Sequence, residues 1–123
     1  MSRIVMYDQI GAREPVQTFV MDWKDGVPCT LRQIITERVL IEHEKLHRSH
    51  NDQAIEALLY APNMGPLKRM NRDEAVAAAI QAFSRNAFVV VIGGKQMMAL
   101  DDLAVISPRT EVVFIKLLQL KGG

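Results

Sequence analysis

The sequence predicts an α+β fold, a β-sheet with helices packed on one face. Two stretches carry apolar residues at helical spacing behind capping signatures, and several short runs favour strands. The order along the chain is hairpin, helix, helical insertion, strand pair, short loop and final strand, which suits an α+β arrangement.

Ile4 to Tyr7 and Val16 to Met21 are β-favouring runs. The segment Gln9-Ile10-Gly11-Ala12-Arg13-Glu14-Pro15 between them holds the glycine and proline of a turn, so the two form a hairpin. After Lys24-Asp25-Gly26, Thr30 stands three residues before Gln33, the spacing of a reciprocal capping box. Leu31, Ile34, Ile35, Val39, Glu42 and Leu46 follow at helical spacing, giving a helix that buries its first turns and grows polar toward Arg48. Between Ser49 and Arg69, Ala54 to Leu59 suits another helical turn or two before Pro62, Gly65 and Pro66 break it. Asn71 and Glu74 repeat the capping signature, and Ala75, Val76, Ala79, Ile80 and Phe83 form a second apolar stripe that ends near Asn86, a residue tolerant of left-handed backbone. A helical insertion therefore lies between the first helix and the following strand pair.

Phe88-Val89-Val90-Val91-Ile92 is apolar without alternation, as expected of a central strand or one covered on both faces. Gly93-Gly94 signals a tight hairpin into Lys95-Gln96-Met97-Met98. Glu111 to Leu118 reads as a final, nearly all-apolar strand, and residues 119–123 as a flexible tail on a single domain of residues 1–118.

The bulk properties narrow the field. At 123 residues, 49% hydrophobic and 24% charged, the composition is that of one globular domain with material for a core. Fifteen basic against 14 acidic residues leave a net charge of +1, which gives no footprint for nucleic acid or an anionic membrane surface. The single cysteine, Cys29, excludes an intrachain disulfide framework and a thiolate-rich zinc site. The N-terminal residues lack a signal-peptide core and no stretch approaches the ~18 apolar residues of a membrane span, so the expected location is cytoplasmic.

Several segments, taken in order, resemble ubiquitin and its β-grasp relatives. They are the hairpin, the Thr30-Leu31 helix start, Ile92-Gly93-Gly94-Lys95-Gln96-Met97 and the short turn Leu100-Asp101-Asp102-Leu103. The closing run Thr110-Glu111-Val112-Val113-Phe114-Ile115, leading to Leu118-Gln119-Leu120-Lys121-Gly122-Gly123, completes the resemblance. That ending is equally similar to the small subunit of molybdopterin synthase and to the thiamine sulfur carrier. The resemblance implies a β-grasp mixed sheet with one main helix packed on it. The helical insertion at about residues 49–85 has no counterpart in minimal ubiquitin.

The resemblance also implies a function. Glycine lacks a Cβ, so a Gly122-Gly123 tail can thread a narrow channel and present the Gly123 carboxyl group. That carboxyl ionises near a pKa of roughly 3.3–3.7 and resists attack until it is activated. An E1-like enzyme would adenylate it with ATP and Mg²⁺. Transfer through a cysteine thiolate to a lysine amine would then conjugate the chain to target proteins, whereas sulfur transfer would make a thiocarboxylate. The chain is on this reading no enzyme and binds no cofactor of its own. ATP and Mg²⁺ serve the E1-like partner, and further partners are an E2-like enzyme and a deubiquitinase-like peptidase. Leu118, Leu120 and Lys121 would be read with the tail, and Ile10 with Val91 would form an interaction patch. A noncatalytic interaction module is the third reading.

One motif competes. His43-Glu44-Lys45-Leu46-His47 matches H-E-x-x-H, in which His43 and His47 would bind zinc and Glu44 would activate water, with His50, Glu56 or Glu74 as third ligand. Lys45 puts a cation between the ligands, and no glycine-bearing third-histidine extension follows. At ~100° per residue, both histidines fall on the flank or solvent face relative to Leu31, Ile35 and Leu46. The expected metal is therefore none. Cys29 before the Thr30 cap reads as small packing, and Lys95 as a solvated hairpin lysine.

Overall fold

The strand-favouring runs pair into one mixed sheet. The computed structural model describes residues 2–48 and 71–117. β1 (Ser2–Ile10) and β2 (Val16–Trp23) form the expected hairpin, and β3 (Cys29–Thr30) runs directly into α1 (Leu31–Arg48). After residues 49–70, which lie outside the described residues together with that part of the expected insertion, come α2 (Arg72–Ser84), β4 (Phe88–Ile92), β5 (Lys95–Met97), β6 (Leu103–Ala104) and β7 (Glu111–Lys116). The five-stranded sheet has the order β2-β1-β7-β4-β5, and a small second sheet pairs β3 with β6. β7 lies parallel to β1 and antiparallel to β4, at the centre of the main sheet. This α+β arrangement of a mixed sheet and two helices is compatible with a β-grasp-like fold.

Period-two alternation decides which side chains enter the core. Ser2, Ile4, Met6 and Asp8 of β1 are buried, as are Phe88, Val90 and Ile92 of β4 and Val112, Phe114 and Lys116 of β7. The apolar members join Leu31, Ile34, Ile35 and Val39 of α1 and Ala75 and Ala79 of α2 in one core. Each fully buried isoleucine or leucine there contributes roughly 1.5–3 kcal/mol. The unbroken apolar run of β4 also has its reason here: Val89 and Val91 on the other face remain half-buried, between neighbours on both sides.

Both capping boxes form. The Thr30 hydroxyl accepts from the Gln33 N–H at 3.1 Å while the Gln33 side chain accepts from the Thr30 N–H at 2.8 Å. Asn71 and Glu74 make the same exchange at 2.8 and 3.3 Å. The start of α1 receives further support, since the Leu31 and Arg32 N–H groups donate to the Asp102 and Leu100 carbonyls, both at 3.0 Å. The expected short turn at residues 100–103 thus helps hold the helix. Asn86 takes φ +60° after α2, and Gly93 and Gly94 take φ +57° and +81° in the β4–β5 turn, the left-handed pair that a two-residue hairpin requires. No described helix is long and apolar enough to cross a membrane.

Candidate functional site

The core of this protein is closed at one end by charge. The alternation that buries Ile4 and Met6 also buries Asp8, and the alternation that buries Val112 and Phe114 also buries Lys116. On α1 the buried residues Leu31, Ile34, Ile35, Arg38, Val39, Glu42 and His43 follow one another at helical spacing, so Arg38 and Glu42 continue the apolar stripe. Because β1 and β7 are parallel, their C-terminal ends lie side by side, with Asp8 opposite Phe114 and Ile10 opposite Lys116. The four charged residues meet there.

Arg38 is fully buried and is the hub. Two guanidinium nitrogens donate to the two Asp8 oxygens at 2.5 and 2.7 Å, a bidentate pair, and Nε donates to Glu42 at 2.6 Å. The guanidinium carbon lies 4.5 Å from the Phe19 ring centroid and 4.8 Å from that of Phe114, within cation–π range of both. Lys116 Nζ stands 3.7 Å from Asp8 Oδ2, and the Thr18 hydroxyl lies 3.1 Å from Asp8 Oδ1. Lys45 Nζ sits 4.6 Å from the Phe19 centroid. Among the described residues, no buried side-chain nitrogen or oxygen lacks a hydrogen-bond partner.

A β-bulge makes part of this geometry. Met6 pairs with Phe19 but Tyr7 pairs with Gln17, so Thr18 is the extra residue on β2. The shift lets the consecutive residues Thr18 and Phe19 both reach the cluster, which unbroken alternation forbids.

Burial and charge oppose one another at the two cations. Desolvation works to lower the Arg38 pKa, but hydrogen bonding to Asp8 and the negative charges of Glu42 and Asp8 outweigh it, so the value lies above the ordinary arginine value. At Lys116 desolvation dominates and holds the ammonium below the ordinary lysine value, although Asp8 and Glu42 counteract it and Arg38 adds to it. The cluster joins two carboxylates to two cations, and the Arg38 donors named above are directed at carboxylates. Chemically this arrangement holds elements together.

The residues singled out by sequence fall elsewhere. Leu118, Leu120, Lys121, Gly122 and Gly123 lie outside the described residues, which end at the half-exposed Leu117. Val91 pairs with Val113 on the face away from the helices, whereas Ile10 pairs with Lys116, in register with the helix-side residues. The pair therefore does not form one patch. His43 is a correction: it is 8% exposed and not on the solvent flank. The buried line of α1 follows the i, i+4 row Leu31, Ile35, Val39, His43, which slants across the helix surface. The side chains of Leu46 and His47, along with His50 and Glu56, are outside the described residues, and Glu74 is engaged in its capping box. Among the described residues no three His, Cys, Asp or Glu side chains gather as a metal site. Cys29 is buried, and burial pushes its thiol above the ordinary value, the opposite of nucleophile activation. Lys95 is exposed in its hairpin.

Sequence reasoning missed Asp8, Arg38 and Lys116. The available signal was a charge standing at a core position of each pattern. No family model, curated protein or solved structure matches this chain.

Proposed function

We propose that this chain is a β-grasp, ubiquitin-like protein modifier used through the Gly123 carboxyl group. The observation that carries the reading is the central parallel pair β1–β7 within the order β2-β1-β7-β4-β5, with α1 packed against one face. This is the mixed sheet and main helix that the ubiquitin resemblance implies. Two finer matches support it: the Gly93-Gly94 turn between β4 and β5, and the 100–103 turn that caps α1. The order also suits presentation of a tail. β7 ends beside the β1–β2 turn, with Leu117 N–H bonded to the Ala87 carbonyl, and five residues separate Leu117 from Gly123.

On this reading the partner supplies the chemistry. An E1-like enzyme adenylates Gly123 with ATP and Mg²⁺, and the activated acyl group passes to a thiolate and then to a lysine of a target protein. Sulfur carriage shares the first step and diverges after it. The chain needs a free Gly123 carboxylate, which intact mass of the cellular protein checks first. Incubation with the E1-like enzymes of the source organism, ATP and Mg²⁺, followed by mass spectrometry, tests the rest. An isopeptide between Gly123 and lysine marks the modifier, and exchange of oxygen for sulfur marks the carrier. No adenylate, thioester or thiocarboxylate with any of those enzymes, and no change in cellular adducts on deletion of Gly123, would refute both.

A further inference from the structure

Four elements meet in the charged cluster at one end of the sheet. β1 gives Asp8, bulged β2 gives Thr18 and Phe19, α1 gives Arg38 and Glu42, and β7 gives its last residue, Lys116. The backbone joins the same region: Gly11 N–H donates to the Lys116 carbonyl at 2.9 Å, and Leu117 N–H to the Ala87 carbonyl at 3.0 Å. Further up the strands the residues facing the helices are apolar, from Ile4 and Met6 to Val112 and Val90. The end of β7 is thus seated on ion pairs where the rest of the strand is seated on hydrocarbon.

We propose that Asp8, Arg38, Glu42 and Lys116 form an acid-released clasp that fixes where β7 ends and the following segment leaves the sheet. The proposal stands apart from the chemistry assigned to Gly123. Protonation of Asp8 and Glu42 removes two negative charges that sit against a fully buried guanidinium and, through Asp8, against Lys116. A buried cation that loses its opposite charges is strongly disfavoured, and separating the end of β7 from β1 and α1 readmits water to it. The apolar part of the sheet is indifferent to the same protonation. Opening therefore begins at this end and precedes unfolding of the sheet. Among the described residues, the titratable and charged side chains facing this end are Asp8 from β1, Lys116 from β7, and Arg38, Glu42, His43 and Lys45 from α1.

Residue-resolved amide hydrogen exchange on the full chain, between neutral pH and about pH 3 and normalised to intrinsic rates, tests this, since carboxylates freed by opening take up protons mainly below about pH 4. In the wild type the Gly11 and Leu117 amides are expected to lose protection at least tenfold on acidification, while amides of the β4–β5 hairpin keep theirs. The double variant Asp8→Asn, Glu42→Gln is expected to show that loss already at neutral pH. Should it fail to fold, the apolar triple Asp8→Leu, Arg38→Met, Glu42→Leu provides the second reading, because its Gly11 and Leu117 protection should no longer respond to acid. His43→Gln should leave the acid response intact. Uniform loss of protection across the sheet, an unchanged Gly11 and Leu117 on acidification, an acid response retained in the apolar triple, or one abolished by His43→Gln would each overturn the clasp.

Discussion

Replacing Arg38 by methionine should destabilise the protein by about 3–5 kcal/mol, the cost of removing one partner from a buried ion pair. The structure supports the upper part of that range. The substitution deletes a bidentate pair to Asp8 and a 2.6 Å bond to Glu42, and it leaves two carboxylates at 8% and 1% exposure. Lys116, at 3.7 Å, still faces Asp8 and recovers part of the loss. Methionine keeps most of the apolar stem between Phe19 and Phe114, so the cavity contribution is small. For a domain of this size the loss corresponds to a fall in Tm on the order of 12–19 °C. Urea unfolding followed by far-UV circular dichroism and by Trp23 fluorescence measures it, with coincident transitions checking two-state behaviour. Adding Asp8→Leu and Glu42→Leu to Arg38→Met should restore much of the stability, because the carboxylates are the source of the penalty. A loss below about 1 kcal/mol in the single variant, the value typical of an exposed pair, would refute the reasoning.

The remaining expectations are smaller in size. Lys116 has a folded pKa below its unfolded value, so its buried charge costs stability at neutral pH, and that cost is relieved as pH rises from the folded pKa toward about 10.4. Relative to Lys116→Met, the wild type should therefore gain stability between neutral pH and about pH 10, and a difference that stays flat in urea titrations across that range would contradict this. Asn71→Ala removes the acceptor for the Glu74 N–H and should cost about 1 kcal/mol by thermal unfolding, whereas the exposed Gln81→Ala should cost well under half of that. In the β4–β5 turn, Gly93→Asn should be nearly neutral, while Gly94→Val should cost about 1–2 kcal/mol from its φ of +81° although nothing lies near the added side chain. Equal losses at the two positions would show that the left-handed backbone is not what selects glycine.

What could be read from the sequence was what local patterns control. Thr30 with Gln33 and Asn71 with Glu74 announce helix starts because each box is closed by residues three apart, and Gly93-Gly94 announces its turn by backbone preference alone. The parallel meeting of β1 and β7 was not written in either strand's periodicity, since the choice of strand partner is made across about a hundred residues. β3 and β6, two residues each, are too short to carry a period. The bulge at Thr18 likewise depends on its partner strand. Arg38 was hidden for a different reason. A charge on a helix normally marks the solvent face, and only the nonlocal arrival of Asp8 and two phenyl rings makes a guanidinium at home in the core.

The location of the charges bears on their purpose. An ion cluster of this kind is seldom more stable than well-packed hydrocarbon of the same volume, so stability alone does not account for four charged residues at the end of an otherwise apolar core. Directional bonding does account for them. Hydrocarbon tolerates sliding, whereas a bidentate Arg38–Asp8 pair and a Glu42 bond tolerate little movement of α1 against β1. Parallel pairing brings the ends of β1 and β7 to the same edge, so a fixed α1–β1 contact also fixes Lys116 and the departure of the chain after it. A segment that must enter a partner's channel gains from a defined starting point, since each residue ordered in advance lowers the entropy cost of binding. If Gly123 is the reacting end, loosening the cluster should then raise the KM for activation more than it lowers kcat. Arg38→Lys, which keeps the charge but not the bidentate fork, is the variant that separates geometry from charge. An unchanged KM in that variant, with folding intact, would leave the cluster no part in presenting the tail.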